Sequence, residues 1–415
     1  MTERLLVRIH HDIVDLTGVV AWHPGGSHVL TSNRGADVTD LFEAFHANLS
    51  YHNFIVGTYE SVPPPYVIEF RDLHHSFKAR GWYTPPKYIF CIQMLLYLCL
   101  FASSFYLSLC LECTFFGAIA MGFFWQQTAG LGHDLGHSSS LEGRRANMVV
   151  GSLMSTITGL SSAWWRHSHF QHHVHTNVIE EDPDILHLPI FSVSDKLSLP
   201  FYHNFLRRSV RIDSFADLLI RVQHVTMYPI LMFARFNLYV QSIKYIHDRH
   251  DLYSRIEKLG ILSFLSWHAL LLARIGATRF WKFALLSHFV SGILHVQIVI
   301  SHWASDVKTA SDAPTDHFLH TLQTTIDVQT PECMDWFHLG LQFQVAHHMY
   351  PRLPRCHLRE ATRAIQQICR KHNLVYNAMT FGDLNRYLLS SMKRAGSASV
   401  SKKYAGGAPR KVKKK

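Results

Sequence analysis

Long uncharged stretches dominate the middle of the chain. Tyr88–Leu111 contains 24 residues without a charge, enough for a helix that spans about 30 Å of hydrocarbon. Thr114–Leu131 follows after a very short turn, so the two stretches predict a transmembrane hairpin. Leu259–Ile275 and Phe280–Ile300 predict a second hairpin, which is less purely apolar because of Arg274, Lys282, His288 and His295.

Two further stretches are apolar but need not cross. If Asn147–Trp165 crossed, the histidines before and after it would face opposite compartments, so we predict a re-entrant or interfacial segment. Leu218–Ile246 is rich in aromatic residues and carries Arg221 and Arg235, which predicts one amphipathic interfacial helix. Four crossings then leave both termini and every histidine cluster in the cytosol.

The distribution of apolar, proline and basic residues divides the chain into four parts. Residues 1–62 are predicted to form a small soluble module and 63–87 a linker stiffened by three consecutive prolines, from Pro63 to Pro65. Residues 88–390 form the membrane domain and 391–415 a basic, disordered cytosolic tail. The whole chain is 48% hydrophobic and only 17% charged, as expected for a membrane protein with water-soluble parts.

The basic tail accounts for most of the net charge of +10, since it holds nine basic residues and no acidic one from Lys393 to Lys415. A nucleic-acid partner is not expected, because such proteins spread basic residues over a folded face. A tail of this kind favours contact with anionic membrane lipid. Lys411-Val-Lys-Lys-Lys415 is similar to a dilysine retrieval signal, which predicts the endoplasmic reticulum membrane; a plain solvated tail is the alternative.

The cysteines and the first residues bear on the compartment. Four of the seven cysteines lie in or beside an apolar stretch, so a disulfide framework is not expected and a reducing, cytosol-facing environment is favoured. The first ten residues lack the apolar run of a signal peptide, so we expect internal segments to direct insertion. The 31 histidines indicate metal binding, because neutral imidazole is the commonest protein metal ligand.

A haem motif lies in the N-terminal module. His23-Pro-Gly-Gly26 is followed 23 residues after His23 by His46, with Leu41, Phe42 and Phe45 as apolar wall. Haem used for electron transfer needs two axial ligands on opposite sides of an apolar slot. Residues 9–59 resemble a cytochrome b5 domain, which implies an α+β module that binds haem b through His23 and His46. The alternative is a surface turn beside an unrelated histidine.

Three histidine clusters carry the other candidate chemistry. They are His133-Asp-Leu-Gly-His137, His169-Phe-Gln-His172-His173 and Gln344-Val-Ala-His347-His348. On a helix, residues three and four apart share one face, so each cluster directs its side chains to a common point. Converging imidazoles with open positions for dioxygen suit two non-haem iron ions.

Other polar residues near the clusters are less certain from sequence. His302 ends the fourth apolar stretch and is predicted as a further iron ligand, whereas His268, His288 and His295 are predicted to pack between helices or face the lumen. His167 and His175 are predicted as structural or supporting residues. The roles of Asp134, Asp182 and Asp184 stay open. A carboxylate near a histidine ligand commonly accepts a hydrogen bond from the second ring nitrogen of that ligand.

The boxes resemble those of the membrane fatty-acyl desaturase superfamily, from Ile9 to about Asn377. The fused cytochrome b5 and the glutamine that opens the third box are similar to the front-end desaturases. Three segments are similar to plant and fungal sphingolipid delta-8 desaturases: Asp182-Pro-Asp-Ile-Leu-His-Leu-Pro189, Met227–Tyr239 and Pro351–Arg359. The resemblance implies a four-helix membrane domain with interfacial helices and a cytosolic histidine-box cap.

The same resemblance implies an oxygen-dependent oxidoreductase. The expected reaction introduces a double bond between C8 and C9 of the sphingoid base of ceramide, with electrons from NADH through a separate cytochrome b5 reductase and the fused haem. The implied catalytic residues are the seven box histidines and Gln344. Alternatives are a delta-5 or delta-6 acyl-lipid desaturase, a sphingolipid fatty-acid hydroxylase, for which we expect histidine at position 344, and a membrane-anchored haem carrier without an iron site.

Overall fold

The computed structural model describes residues 4–47, 49–198 and 200–404. The N-terminal module is α+β, as predicted. Its antiparallel sheet has the order β1-β2-β3, formed by β1 (Leu6–Ile9), β2 (Asp12–Asp15) and β3 (Ile55–Thr58). Two short helices lie between β2 and β3, α1 (Ser27–Thr31) and α2 (Thr39–Phe45). Alternation along β1 buries Val7 and Ile9 against Val14, which forms the small core of the module.

The stretch predicted as a linker is largely a packed helix, α3 (Pro65–Ala79). Its first proline occupies a position where no backbone N–H is required. Val67, Phe70 and Phe77 are buried with apolar residues that lie between Phe318 and Cys369. This segment therefore joins the module rigidly to the membrane domain, because burial of one apolar helix face fixes its position.

The first predicted hairpin is present. It consists of α4 (Lys87–Phe105), a π-helical turn from Tyr106 to Cys110, and α5 (Thr114–Gly136). The two helices approach closely at Gly117, whose carbonyl accepts a 2.8 Å hydrogen bond from Ser104. The far end of α5 carries the first histidine cluster out of the apolar region.

Asn147–Trp165 does not form a single spanning helix. It is divided among α6 (Arg144–Leu153), α7 (Ser155–Thr158) and α8 (Ser162–Val174). Gly159 ends α7 in the left-handed region, with φ of 70°, and Ser161 caps the next helix by accepting a hydrogen bond from the Trp164 amide. The segment is thus turned back so that α8 starts a new direction.

The prediction of one helix over Leu218–Ile246 is wrong. A hairpin of β4 (Phe201–His203) and β5 (Arg208–Val210) precedes the region, which is divided among α9 (Ser214–Arg221), α10 (Gln223–Leu231) and α11 (Arg235–His247). A tertiary contact explains the break between α10 and α11, because Gly292 packs there against the backbone of Met232. The side chain of Arg235 then reaches inward to donate a 2.6 Å hydrogen bond to the Thr158 carbonyl.

Three helical segments are long and apolar enough to cross a membrane, namely Lys87–Cys110, Leu252–Ile275 and Phe280–Trp303, by length and composition within the described residues. The second is α12 (Leu252–Ile275); the third comprises α13 (Phe280–Ser291) and α14 (Ile293–Trp303). α13 packs along α5, where Gly122 permits the approach of Val290. The second predicted crossing, Thr114–Leu131, falls within α5, which is not among these three segments and also carries Gln126, Gln127 and Asp134.

The C-terminal part covers the site. It comprises α15 (His317–Thr324), β6 (Asp327–Gln329), α16 (Asp335–His338), α17 (Gln344–Met349), α18 (Arg355–Lys371), β7 (Ala378–Thr380) and α19 (Phe381–Tyr404). β6 and β7 pair in parallel.

The prediction that disorder begins at residue 391 is wrong. Leu384, Leu388 and Met392 lie one turn apart on α19 and are fully buried, so the core orders the helix beyond that point. Ala395 is also buried. Lys411 and the other lysines of the dilysine-like signal lie outside the described residues.

Candidate active site

Four helices bring the predicted ligands together. His133 lies in the last turn of α5 and His137 directly follows that helix. His169, His172 and His173 lie on α8, His302 on α14, and His347 and His348 on α17. The spacing within each cluster places its imidazoles on one helix face, and the packing of these helices turns the faces towards each other.

The imidazoles form two groups, each with its ligand atoms within 4.8 Å of one another. One group contains His133, His137, His169 and His347; the other contains His172, His302 and His348. His173 lies between the groups. Its Nε2 is 3.0 Å from Nε2 of His169, and its ring centroid is 4.0 Å from that of His348. All eight histidines predicted as iron ligands therefore converge.

The donor atoms fit a metal-binding role. Among the eight predicted ligands, five have a buried ring nitrogen without a hydrogen-bond partner: His137, His173, His302, His347 and His348. An unpaired buried polar atom is unfavourable unless a ligand supplies the missing partner. Two clusters of neutral imidazole nitrogens suit borderline metals such as iron, and two adjacent groups fit two ions better than one.

Carboxylates support these rings, a role that the sequence left open. Oδ2 of Asp182 lies 2.8 Å from Nδ1 of His172, and Asp182 also accepts hydrogen bonds from the backbone amides of Asn177 and Asp184. Oδ2 of Asp184 lies 3.7 Å from Nδ1 of His169. Such contacts orient the ring and leave Nε2 for a metal. Only the proximity of these acids to a histidine box suggested them in the sequence.

Asp134 is held by a residue that the sequence analysis missed. Its carboxylate lies 2.5 Å from Nε of Arg355 and 3.2 Å from Nδ1 of His133. Burial acts to raise the pKa of Asp134, but the Arg355 guanidinium and His133 hold it below its ordinary value. Arg355 is distant in sequence and lies on α18, so no local pattern indicated this pair.

Gln344 is buried at the start of α17, and its amide nitrogen donates a 3.0 Å hydrogen bond to the Leu341 carbonyl. Its side chain lines the adjoining cavity, together with His302. A role for Gln344 in catalysis stays a prediction.

A cavity of about 240 Å³ adjoins the histidines, and its walls are mostly apolar. His133, His169, His172 and His302 border one part of it, and Met154, Leu238, Leu294 and Ile298 contribute apolar wall elsewhere. His295 also lines the cavity, which differs from the role predicted for it. His268 packs against Trp125 and His288 stacks on Phe236, which is the packing role expected from the sequence.

The haem motif assembles in the N-terminal module. The ring centroids of His23 and His46 are 6.2 Å apart, which accommodates an iron ion at about 2 Å from one nitrogen of each ring. Nδ1 of His46 lies 3.0 Å from the Phe42 carbonyl and Nδ1 of His23 lies 3.3 Å from the Gly26 carbonyl, so both Nε2 atoms are left for a metal. Burial lowers the pKa of His46 to about 4, which keeps the ring neutral and able to ligate.

The haem module lies directly against the histidine groups. The Phe45 ring centroid is 5.5 Å from that of Phe170 and 6.0 Å from that of His173. Nε2 of His28 lies 2.5 Å from Glu181. Asp40 accepts two hydrogen bonds from Arg71, at 2.7 and 2.9 Å. These contacts hold Phe45, which directly precedes the predicted haem ligand His46, against the predicted iron ligand His173.

Fold and site thus define a membrane-associated helical enzyme with a histidine-rich metal centre and a fused haem-type module. Comparison with known proteins agrees. Residues 113–380 match the fatty acid desaturase family, and residues 2–61 match the cytochrome b5-like haem/steroid binding domain.

Several relatives are similar over much of the chain. The Delta(8)-fatty-acid desaturase 2 of Arabidopsis thaliana is 32% identical over 94% of this chain and 90% of its own. The Acyl-lipid (9-3)-desaturase of Borago officinalis is 34% identical over 94% of this chain and 89% of its own. The Delta 8-(E)-sphingolipid desaturase of Kluyveromyces lactis is 36% identical over 79% of this chain and 58% of its own.

The chain therefore belongs to the fatty acid desaturase family and carries an N-terminal cytochrome b5-like domain. It is an oxidoreductase of the desaturase type. The family implies two iron ions at the histidine groups, and the N-terminal domain implies haem, as expected from the sequence.

Proposed function

We propose that the protein introduces a double bond between C8 and C9 of the sphingoid long-chain base of ceramide. The observation that carries this proposal is an apolar cavity bordered by the two histidine groups. Such a cavity accepts an unbranched hydrocarbon chain and places a short part of it beside the metal centre. The delta-8 position is supported by the names of plant and yeast relatives.

The protein's residues supply ligands, orientation and a dry channel. Iron at the histidine groups supplies the oxygen chemistry needed to remove hydrogen from unactivated methylene groups. His133, His137, His169 and His347 would hold one ion, His172, His302 and His348 the other, with His173 between them. Asp182 fixes the orientation of His172, and the apolar walls exclude water from the reacting carbons.

His23 and His46 would hold the haem, which would supply one-electron transfer from a separate, NADH-dependent cytochrome b5 reductase. The fused module gives the donor a high effective concentration at the site. The contact of Phe45 with His173 and Phe170 supports delivery within one chain.

The protein is proposed to be a multi-pass protein of the endoplasmic reticulum membrane. Four crossings, the second of them in α5, place both termini and the histidine groups on the cytosolic side. This arrangement is supported by the three apolar helices and by the position of the histidines at their ends. It allows a cytosolic reductase domain to reach the haem module.

A second candidate is desaturation of a fatty-acyl lipid at the delta-5 or delta-6 position. The borage relative, whose name describes an acyl-lipid desaturase, is as similar to this chain as the delta-8 relatives are. The two candidates share the metal centre and differ in the lipid that the cavity accepts.

Expression in a yeast strain without sphingolipid desaturation separates them. Total long-chain bases and fatty acids are released and their double bonds are located by mass spectrometry, with His172→Ala as the inactive control. The proposal predicts a new 8,9 double bond in the long-chain base, absent from the control. New double bonds only in fatty acids would establish the second candidate instead.

A further inference from the structure

His295 is a buried polar residue whose two ring nitrogens are not both satisfied. Its side chain lines the cavity, the residue is 9% exposed, and the Gly292 backbone carbonyl beside the ring can accept a hydrogen bond from only one of the two nitrogens. A buried ring nitrogen that forms no hydrogen bond is unfavourable. Because the residue borders a cavity that a substrate would enter, the missing partner is best supplied by a polar atom of that substrate.

Arg235 indicates which kind of substrate atom would bind to His295. It lines the same cavity and is buried, with Nη2 donating to the Thr158 carbonyl and Nε to the Tyr239 hydroxyl at 2.8 Å. No carboxylate of the described residues lies within salt-bridge distance of Arg235. The guanidinium lies over the Trp125 ring, 4.8 Å from its centroid, and its positive charge favours an oxygen acceptor over a cation. The two residues therefore suit a hydroxyl or amide oxygen.

The position of His295 on its helix gives the distance between a substrate oxygen bound there and the carbons that lie beside the metal centre. His295 precedes the predicted iron ligand His302 by seven residues on the same helix, so the two residues share a face and lie two turns, or about 10 Å, apart. An extended hydrocarbon chain advances about 1.25 Å per bond, because its bonds are about 1.5 Å long and meet at tetrahedral angles. Eight bonds, from the oxygen on C1 to C8, therefore also span about 10 Å.

We infer that His295 binds the C1 hydroxyl of the long-chain base and so determines which carbons lie beside the metal centre. This inference rests on the proposed function and specifies how its substrate is bound. The separation of anchor and metal centre matches desaturation at C8 of a ceramide with a free C1 hydroxyl. His268 has no such role, because it packs in the helix bundle and does not line the cavity.

The test compares two substrates in microsomes that contain the full-length holoenzyme and NADH. One is a dihydroceramide; the other is its 1-deoxy analogue, which lacks the C1 hydroxyl. For each we measure initial rate and double-bond position. The wild-type protein should convert dihydroceramide with about tenfold higher kcat/KM, the effect of one lost hydrogen bond of about 1.4 kcal/mol, and should place double bonds in the analogue less uniquely.

The variants assign that discrimination to one residue. His295→Leu should treat both substrates alike and give mixed positions with each, whereas His295→Gln should keep much of the preference. His268→Leu is the matched control and should discriminate as the wild type does. Iron and haem content per chain identify any variant that has lost its cofactors. If His295→Leu forms no product from either substrate, restored discrimination in His295→Gln supports the inference and its absence there overturns it.

Two failures are distinguishable. If wild type desaturates dihydroceramide at C8 without preferring it over the 1-deoxy analogue, or if His295→Leu keeps the wild-type preference and position, the anchor is wrong and the proposed function stands. If wild type desaturates only fatty acids, the proposed function itself fails, and the anchor with it.

Discussion

His172 and Asp182 form a buried pair in which Nδ1 of the ring lies 2.8 Å from Oδ2 of the carboxylate. Both side chains are almost fully removed from solvent. Asp182 is itself held by two backbone amides, so the carboxylate cannot turn away. The ring is thereby fixed with Nε2 directed to the group that includes His302 and His348.

Replacement of Asp182 tests this support. Asp182→Asn removes the negative charge that stabilises the ring orientation, and loss of such a partner commonly lowers metal affinity by about 10- to 100-fold. We expect less non-haem iron per purified chain, measured by elemental analysis, with unchanged haem absorbance. Asp184→Asn is the control, because Asp184 lies farther from its histidine, at 3.7 Å, and should have the smaller effect. Equal iron content in Asp182→Asn and wild type would contradict this role.

Phe45 connects the haem module to the metal centre. Phe45→Ala removes the ring that lies against Phe170 and His173, so NADH-dependent desaturation should fall several-fold. The haem spectrum and the rate of haem reduction by the reductase should stay unchanged, since His23 and His46 are untouched. Phe45→Tyr keeps the ring and should retain most activity. Equal desaturation by Phe45→Ala and wild type would exclude a coupling role for this side chain.

The Arg71–Asp40 pair joins α3 to the haem module. Arg71→Met leaves a mostly buried carboxylate without its partner, which should cost about 2 kcal/mol of the free energy of unfolding. Thermal unfolding followed by haem absorbance should show a lower midpoint. The matched control is Arg363→Met, whose ion pair with Glu332 is exposed and should contribute less than about 1 kcal/mol. Similar shifts of the unfolding midpoint in both variants would refute the stabilising role of the Arg71–Asp40 pair.

Close helix packing in the membrane domain depends on Gly122. A Cβ at this position would lie 2.5 Å from Cβ of Val290 and 2.8 Å from the Ser287 carbonyl, so Gly122→Ala should destabilise the α5–α13 contact by about 1–3 kcal/mol. The same substitution at Gly132, also on α5, meets nothing within 4 Å.

Detergent-solubilised protein is heated, and the fraction that remains monodisperse in size-exclusion chromatography is measured. Gly122→Ala should lose monodisperse protein at a lower temperature, whereas Gly132→Ala should be unchanged or slightly more stable, because alanine favours helix. Identical profiles for the two variants would show that close packing of α5 against α13 does not depend on a glycine at position 122.

Sequence by itself determined the local parts of this protein. The spacing in His133–His137 and in the boxes of α8 and α17 places imidazoles on single helix faces, because helical periodicity is local. Uncharged length predicted the apolar helices, and the His-Pro-Gly-Gly turn with His46 predicted the haem module, for the same reason. The resemblance to desaturases then supplied the chemistry that no spacing alone defines.

Tertiary structure decided the rest. It assembled seven histidines into two groups with His173 between them, paired Asp134 with Arg355, and placed His295 on the cavity, and each of these arrangements joins residues far apart in sequence. The same holds for the breaks at Met232, where Gly292 packs, and for the order of α19, where the core buries Met392. Such contacts depend on which helix faces meet, a property of packing that no local pattern contains.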